Sequence, residues 1–189
     1  MLNFLPADNS FAEVLRTRRT ITEFQPAPVS EETILQAIDV ARWAPNHKMT
    51  EPWRFHLIGP ETQQQIIDLN REFLTREKGA EAAQKKMARW QQIPGWLIVT
   101  CQCSPDPLRN EENYAAVCCS IQNLMLYLWS QKIGTKWSTS SVLREPQLAA
   151  ILQIDPDLER VVGLLWYGYP AMHSQTRRRP VSEITLVHS

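Results

Sequence analysis

Apolar positions recur along the chain at two spacings, three-to-four and two, and these divide it into helices and strands. Phe11 to about Thr17 follows Ser10, with Glu13 three residues on, which is the signature of a capped helix. Pro26 and Pro28 interrupt the chain. Ser30 then caps a second helix, in which Ile34, Leu35, Ile38, Ala41 and Arg42 keep helical spacing to about Trp43. Ala44 to Lys48 reads as a loop, and Trp53 to Ile58 as a strand closed by Gly59-Pro60. Glu61 to about Gln92 is charged and amphipathic, and predicts two helices broken at Lys78-Gly79. Trp96 to Cys103 predicts a buried strand with Cys101 and Cys103 on one face. A proline-containing loop, Ser104 to Asn110, precedes a long apolar helix from Glu111 to Ile133, ended by Gly134 in a left-handed conformation. Arg144 to Ile154 predicts another helix, Val161 to Tyr169 a strong strand, and Ile184 to Val187 a weaker one. The elements show no regular βαβ rhythm, so the pattern predicts a single α+β domain over residues 1–189.

The long helix sharpens this picture. Asn113 to Gln131 carries no charge over 19 residues, near the length that spans a bilayer. Asn113, Ser120, Gln122, Asn123, Ser130 and Gln131 are too polar for that role. A helix apolar nearly all round is buried either at the centre of its own domain or against a second copy.

Composition adds exclusions. Hydrophobic residues make up 43% and charged residues 21% of the 189, which argues for a folded globular domain and against disorder, collagen or a small disulfide scaffold. Twenty basic and twenty acidic residues leave a net charge of 0, so no global field favours nucleic acid or an acidic membrane. The four cysteines fall in two close groups without zinc or thioredoxin-like spacing, and read as buried thiols of a reducing, cytoplasmic protein. MLNFLPADNS has neither a basic nor a long apolar leader region. The six glycines cannot form a dinucleotide fingerprint. Gly163 and Gly168 have phosphate-loop spacing, but Tyr169 stands where lysine is required. There is no nucleophile elbow, and the four histidines are scattered, so no hydrolase or metal centre is indicated.

Two basic clusters remain: Arg16, Arg18 and Arg19 followed by Thr20, and Arg177, Arg178 and Arg179 followed by Pro180. Either alone is a solvated patch. If the fold brings them together, their guanidinium forks could clamp one phosphate. A third feature is the loop Ala44 to Phe55, stiffened by Pro45 and Pro52, which presents Asn46, His47 and Lys48 between apolar anchors.

Arg18-Arg19-Thr20, Ala44-Pro45-Asn46-His47-Lys48 and Pro52-Trp53-Arg54-Phe55 resemble the nitroreductase family of flavin enzymes. So do Gly134-Thr135-Lys136-Trp137-Ser138, the strand Val162 to Pro170, and the arginine-rich tail. The likeness runs over about residues 11–187. It implies a mostly antiparallel central sheet flanked by helices, an intertwined homodimer, and FMN bound at the subunit interface. NAD(P)H would be the electron donor and a small electron-poor molecule, such as a nitroaromatic or quinone, the acceptor. By the resemblance, Arg18, Arg19 and Thr20 would hold the FMN phosphate, ribityl chain and pyrimidine edge. Arg177, Arg178 and Arg179 would complete the phosphate site. Lys136, Trp137, Ser138 and Thr139 would lie along the isoalloxazine. Trp43, Asn46 and His47 would approach the flavin of the partner subunit. Met49 and Glu51 stand where family members often have Asn and Gln. The resemblance leaves open a flavin carrier or sensor without turnover, and a family member with different flavin chemistry.

Overall fold

The structure, a computed structural model, describes residues 10–172 and 175–188. All but Ser10 of the N-terminal stretch read above for a leader, and His173, lie outside them. The described helices are α1 (Phe11–Thr17), α2 (Glu31–Ala41), α3 (Pro60–Lys78), α4 (Ala80–Trp90), α5 (Pro107–Ser130) and α6 (Pro146–Leu152). The strands are β1 (Trp53–Leu57), β2 (Gly95–Gln102), β3 (Gly134–Ser138) and β4 (Glu159–Gly168). They form one sheet in the order β1-β2-β4-β3, antiparallel throughout. The α+β class implied by the pattern is the one observed.

The predicted caps are in place. Ser10 Oγ accepts from the Glu13 amide and Ser30 Oγ from the Thr33 amide, each at 3.3 Å. Gly79, at φ 85, separates α3 from α4, where the sequence predicted the break.

Four expectations need correction. Residues 107–110 are helical rather than loop. The Asp106 carboxylate accepts from the Leu108 amide at 3.0 Å, and Pro107 occupies the first turn, where its missing N–H leaves nothing unsatisfied. The left-handed residue after α5 is Lys132, at φ 63, not Gly134. Gly134 is already in β3, a strand the pattern did not predict. Its glycine is needed for space, because a Cβ there would run into the Ile21 side chain. Finally, Ile184 to Val187 pairs with no strand. The tail makes one 3-10 turn, Val181–Glu183, and residues 184–187 are exposed.

The sheet separates two cores. On one face, Leu97, Val99 and Cys101 of β2 and Leu165 of β4 pack against Ile34, Ala37 and Ala41 of α2 and Val117, Ile121, Leu124 and Leu128 of α5. On the other, Trp96, Ile98, Leu164 and Trp166 meet Ile66, Ile67 and Leu74 of α3, Met87 and Trp90 of α4, and Leu148 of α6. An irregular register opposite Val99/Thr100 adds a residue to β4, which returns Leu164 and Trp166 to the second face. The rings of Trp90, Trp96 and Trp166 lie 5.3 to 6.1 Å apart, two pairs edge-on, and give that core a rigid aromatic floor. The long helix α5 is thus buried largely by its own chain, with Glu111, Ala115, Cys119 and Gln122 along its exposed side. No described helix is long and apolar enough to cross a membrane.

The second face also holds a polar network. Buried Glu159 pairs with Arg54 and accepts from Thr100 Oγ1 at 2.5 Å, and His56 Nε2 is 3.1 Å from the same hydroxyl. Burial pushes the His56 pKa below the usual 6.5 and Arg54 adds to the fall, while Glu159 opposes both. The unfolded chain therefore binds a proton at His56 more readily than the native one. This contribution to stability is present above about pH 6.5 and is lost as the pH falls below it. Denaturant midpoints at pH 7.5 and 5.5 should show a larger acid loss in the wild type than in His56→Gln. Equal losses would exclude His56 as a source.

The side chain of Trp137 lies across Gly163 on β4, and a methyl group at that position would overlap its indole nitrogen. Gly163→Ala should cost about 1–3 kcal/mol, the usual penalty of overpacking, read as a lowered denaturant midpoint.

Candidate cofactor site

Three short pieces of chain meet at the free edge of β3. The segment after α1 runs alongside it, with Ile21 N donating to Thr135 O at 3.0 Å and Thr20 bridging Thr135 in parallel. Farther on, Gln25 N donates to Tyr169 O at 2.8 Å and Phe24 bridges Pro170, so the exit of β4 is held against the same segment. This double attachment places Arg18, Arg19 and Thr20 beside Thr135. It also leads the chain after Pro170 back toward them.

The two arginine clusters meet as a result. Burial lowers the pKa of Arg18, and its guanidinium is also repelled by Arg19 and by Arg178 of the tail. Arginine stays protonated, so the consequence is a concentration of positive charge. Among the described residues, no carboxylate forms an ion pair with Arg18, Arg19 or Arg178. Arg19 turns back onto the carbonyls of Arg16 and Arg18, at 2.7 and 2.8 Å. Arg178 donates to Thr176 Oγ1 at 2.7 Å. Arg177 and Arg179 are exposed beside it.

Three buried polar atoms near this edge lack a hydrogen-bond partner: Arg19 Nε, Thr135 Oγ1 and Trp137 Nε1. Buried polar atoms are rarely left so, and Thr135 and Trp137 of β3, with Arg19 just before the segment that runs along it, leave orphaned atoms where the arginines gather. Lys136 and Trp137 occupy opposite faces of the sheet. Trp137 packs with the α2/α5 core, whereas the Lys136 ammonium lies 4.6 Å over the Trp166 ring on the α3/α4 side. The predicted run Lys136, Trp137, Ser138, Thr139 therefore does not present a single surface. Ser138 ends β3, and Thr139 and Ser140 line a cavity of about 180 Å³ with Tyr114, Arg144 and Arg160.

The loop bearing Asn46 and His47 stands elsewhere. It packs on the start of α5, where Arg109 Nη1 donates to His47 O at 3.3 Å and Thr50 Oγ1 to Asn113 Oδ1 at 3.1 Å. The α1 end of the arginine site instead touches the other end of α5, where Trp129 Nε1 donates to Thr17 Oγ1 at 3.0 Å. From Asn113 to Trp129, at about 1.5 Å per residue, is roughly 24 Å along the axis. Asn46 Oδ1 holds the loop by accepting from the Glu51 amide at 3.0 Å. Lys48, Met49 and Glu51 all have left-handed backbones, at φ 56, 52 and 44. Trp43 is 75% exposed at the end of α2, and with Arg42, Met49 and Glu51 it lines a cavity of about 490 Å³. Among the described residues, no cluster of histidine, cysteine or carboxylate side chains could hold a metal.

Sequence reasoning missed the edge strand β3 and the two unpartnered atoms on it, Thr135 Oγ1 and Trp137 Nε1. Thr135 and Trp137 at alternate positions after Gly134 were the available signal.

Comparison with known proteins identifies the family and the fold. Residues 15–169 match the model of the nitroreductase family. YfhC of Bacillus subtilis, an NAD(P)H nitroreductase by name, is 29% identical over 172 residues, 88% of each chain. A nitroreductase-like family protein from Bacillus cereus superposes with a TM-score of 0.87 at 26% identity, covering 95% of this chain and 96% of that one. The FMN-dependent nitroreductase NfnB of Mycobacterium smegmatis, solved with NADPH, shares the fold at 14% identity, with a TM-score of 0.79 over 95% and 98%. The chain belongs to the nitroreductase family of oxidoreductases.

Proposed function

We propose that this protein is an FMN-dependent oxidoreductase, carrying reducing equivalents from NAD(P)H to an electron-poor acceptor such as a nitroaromatic or quinone. The observation that carries this reading is the convergence of Arg18, Arg19 and Arg178 beside the unpartnered polar atoms of β3. FMN supplies the hydride and electron chemistry when bound. The protein's part is to bind and orient. Arg18, Arg19 and Arg178, with Arg177 and Arg179 adjacent, neutralise the phosphate. Thr20 and Thr135 offer hydroxyls to the ribityl chain, and Trp137 and Thr139 line the ring. Lys136 and Ser138 stand outside this set because strand alternation turns both toward the α3/α4 side. The four cysteines are free thiols, in keeping with a cytoplasmic setting, although only Cys101 is buried as expected, Cys103 and Cys118 being partly covered and Cys119 exposed.

The working unit is a homodimer. Asn46, His47 and Trp43 lie at the far end of α5 from the arginines of their own chain, so they serve a flavin held by the partner. Exposed apolar side chains supply surface for that contact: Phe11 on α1, Leu35 on α2, and Val181, Ile184, Leu186 and Val187 on the tail.

The purified protein should be yellow, with about one FMN per chain, and should bleach anaerobically with NADH or NADPH and recover on addition of a nitroaromatic. A preparation that stays colourless with added FMN would refute the reading. Arg18→Ala or Arg178→Ala removes a charge-assisted contact worth roughly 1.5–3 kcal/mol, about tenfold to a hundredfold in FMN affinity. Riboflavin, which lacks the phosphate, should be affected far less. Sedimentation at micromolar concentration should give a dimer that loses flavin as it dissociates. A 21.8 kDa species that keeps its FMN would exclude the shared site.

A further inference from the structure

The face of the sheet turned away from Trp137 carries a second concentration of positive charge. Lys136 Nζ lies 4.6 Å over the Trp166 ring, and Lys86 Nζ of α4 lies 5.5 Å from the Trp90 ring. The two rings meet edge-on, with centroids 5.4 Å apart, so the two ammonium groups lie against adjoining rings of one aromatic cluster. Arg89, one turn along α4 from Lys86, donates from Nη2 to Thr22 O at 3.2 Å. Thr22 follows the segment laid along β3, which brings Arg89 to the same crevice. Burial lowers the pKa of Lys136, and repulsion from Arg89 and Lys86 lowers it further. Among the described residues, none of the three cations forms an ion pair. Three positive charges with no carboxylate in ion-pair contact repel one another, and an anion seated among them would offset that repulsion.

The crevice continues into a cavity of about 410 Å³ lined by Thr22, Glu23, Phe24, Arg89, Gln92 and Ile93. Arg89 belongs to both the charge cluster and the cavity wall. The Phe24 ring offers an apolar surface, and Glu23 and Gln92 can hydrogen-bond hydroxyl or ring-nitrogen groups. Cations at one end and a mixed polar and aromatic chamber at the other suit a phosphate ester with a hydroxylated, planar body.

We propose that Lys86, Arg89 and Lys136 form a second phosphate site, separate from the Arg18/Arg178 cluster, which takes a nucleoside-monophosphate-like ligand whose body enters the cavity at Phe24. No covalent step is involved. The inference does not depend on the flavin reading, because it uses different cations on the opposite face of the sheet.

The test is calorimetric titration of the protein as purified with 5′-AMP, adenosine and inorganic phosphate. Binding of 5′-AMP should exceed that of adenosine and of phosphate. Arg89→Gln and Lys136→Gln should each weaken 5′-AMP about tenfold or more, and Lys136→Arg should restore most of the loss. Thermal melts identify any variant that has failed to fold, and Arg89, on the exposed side of α4, offers the milder substitution. Arg18→Gln should leave 5′-AMP binding unchanged. Three results overturn the proposal: no 5′-AMP binding, equal binding in folded Arg89→Gln and wild type, or loss of binding in Arg18→Gln alone. Phosphate binding as tightly as 5′-AMP would overturn the cavity's role.

Discussion

The hydrogen bond from Ile21 N to Thr135 O holds the N-terminal segment on the open edge of β3, and the candidate site follows from it. An unpaired strand edge exposes a row of donors and acceptors, and here the chain covers its own edge. The attachment is possible because Gly134 has no side chain where Ile21 packs, with Ile21 fully buried against Val14 and Trp129. One contact therefore does three things. It covers the β3 edge, it closes a small core beneath α1, and it positions Arg18, Arg19 and Thr20.

Helix caps and hydrophobic spacing were legible in the sequence because they depend on residues three or four positions apart. Ser10, Ser30 and Gly79 act locally, and the structure places their effects where the pattern predicted them. β3 was not legible. It is five residues long, and its identity as a strand comes from β4, some thirty residues later, and from Ile21, more than a hundred earlier. The Arg54–Glu159 pair was hidden for the same reason, being 105 residues apart. The arginine clusters were legible as chemistry but not as a unit, since it is the long-range contacts of Glu23, Phe24 and Gln25 with Tyr169, Pro170 and Ala171 that turn the tail toward α1. Lys136 shows the opposite failure. Adjacent residues in a strand face opposite ways, so a motif read as a string joined side chains that the sheet separates.

The length of α5 matters in a different way. A 24-residue helix keeps the loop at Asn46 and the arginines at Arg18 apart, and no rotamer change can bring them together within one chain. The core on its side of the sheet and the small cluster beneath α1 fix that separation, because α5 is gripped by α2, by the strands and by α1 along its length.

The left-handed residues Lys48, Met49 and Glu51 have a consequence for association. Each such conformation costs a non-glycine residue of order 1 kcal/mol or more, and the cost is borne while the chain folds. Pro45, Pro52 and the Asn46 side chain then leave the loop little freedom to lose. A surface already frozen in shape surrenders little entropy when it meets another molecule, so contacts made by this loop translate more fully into affinity than those of a pliable one.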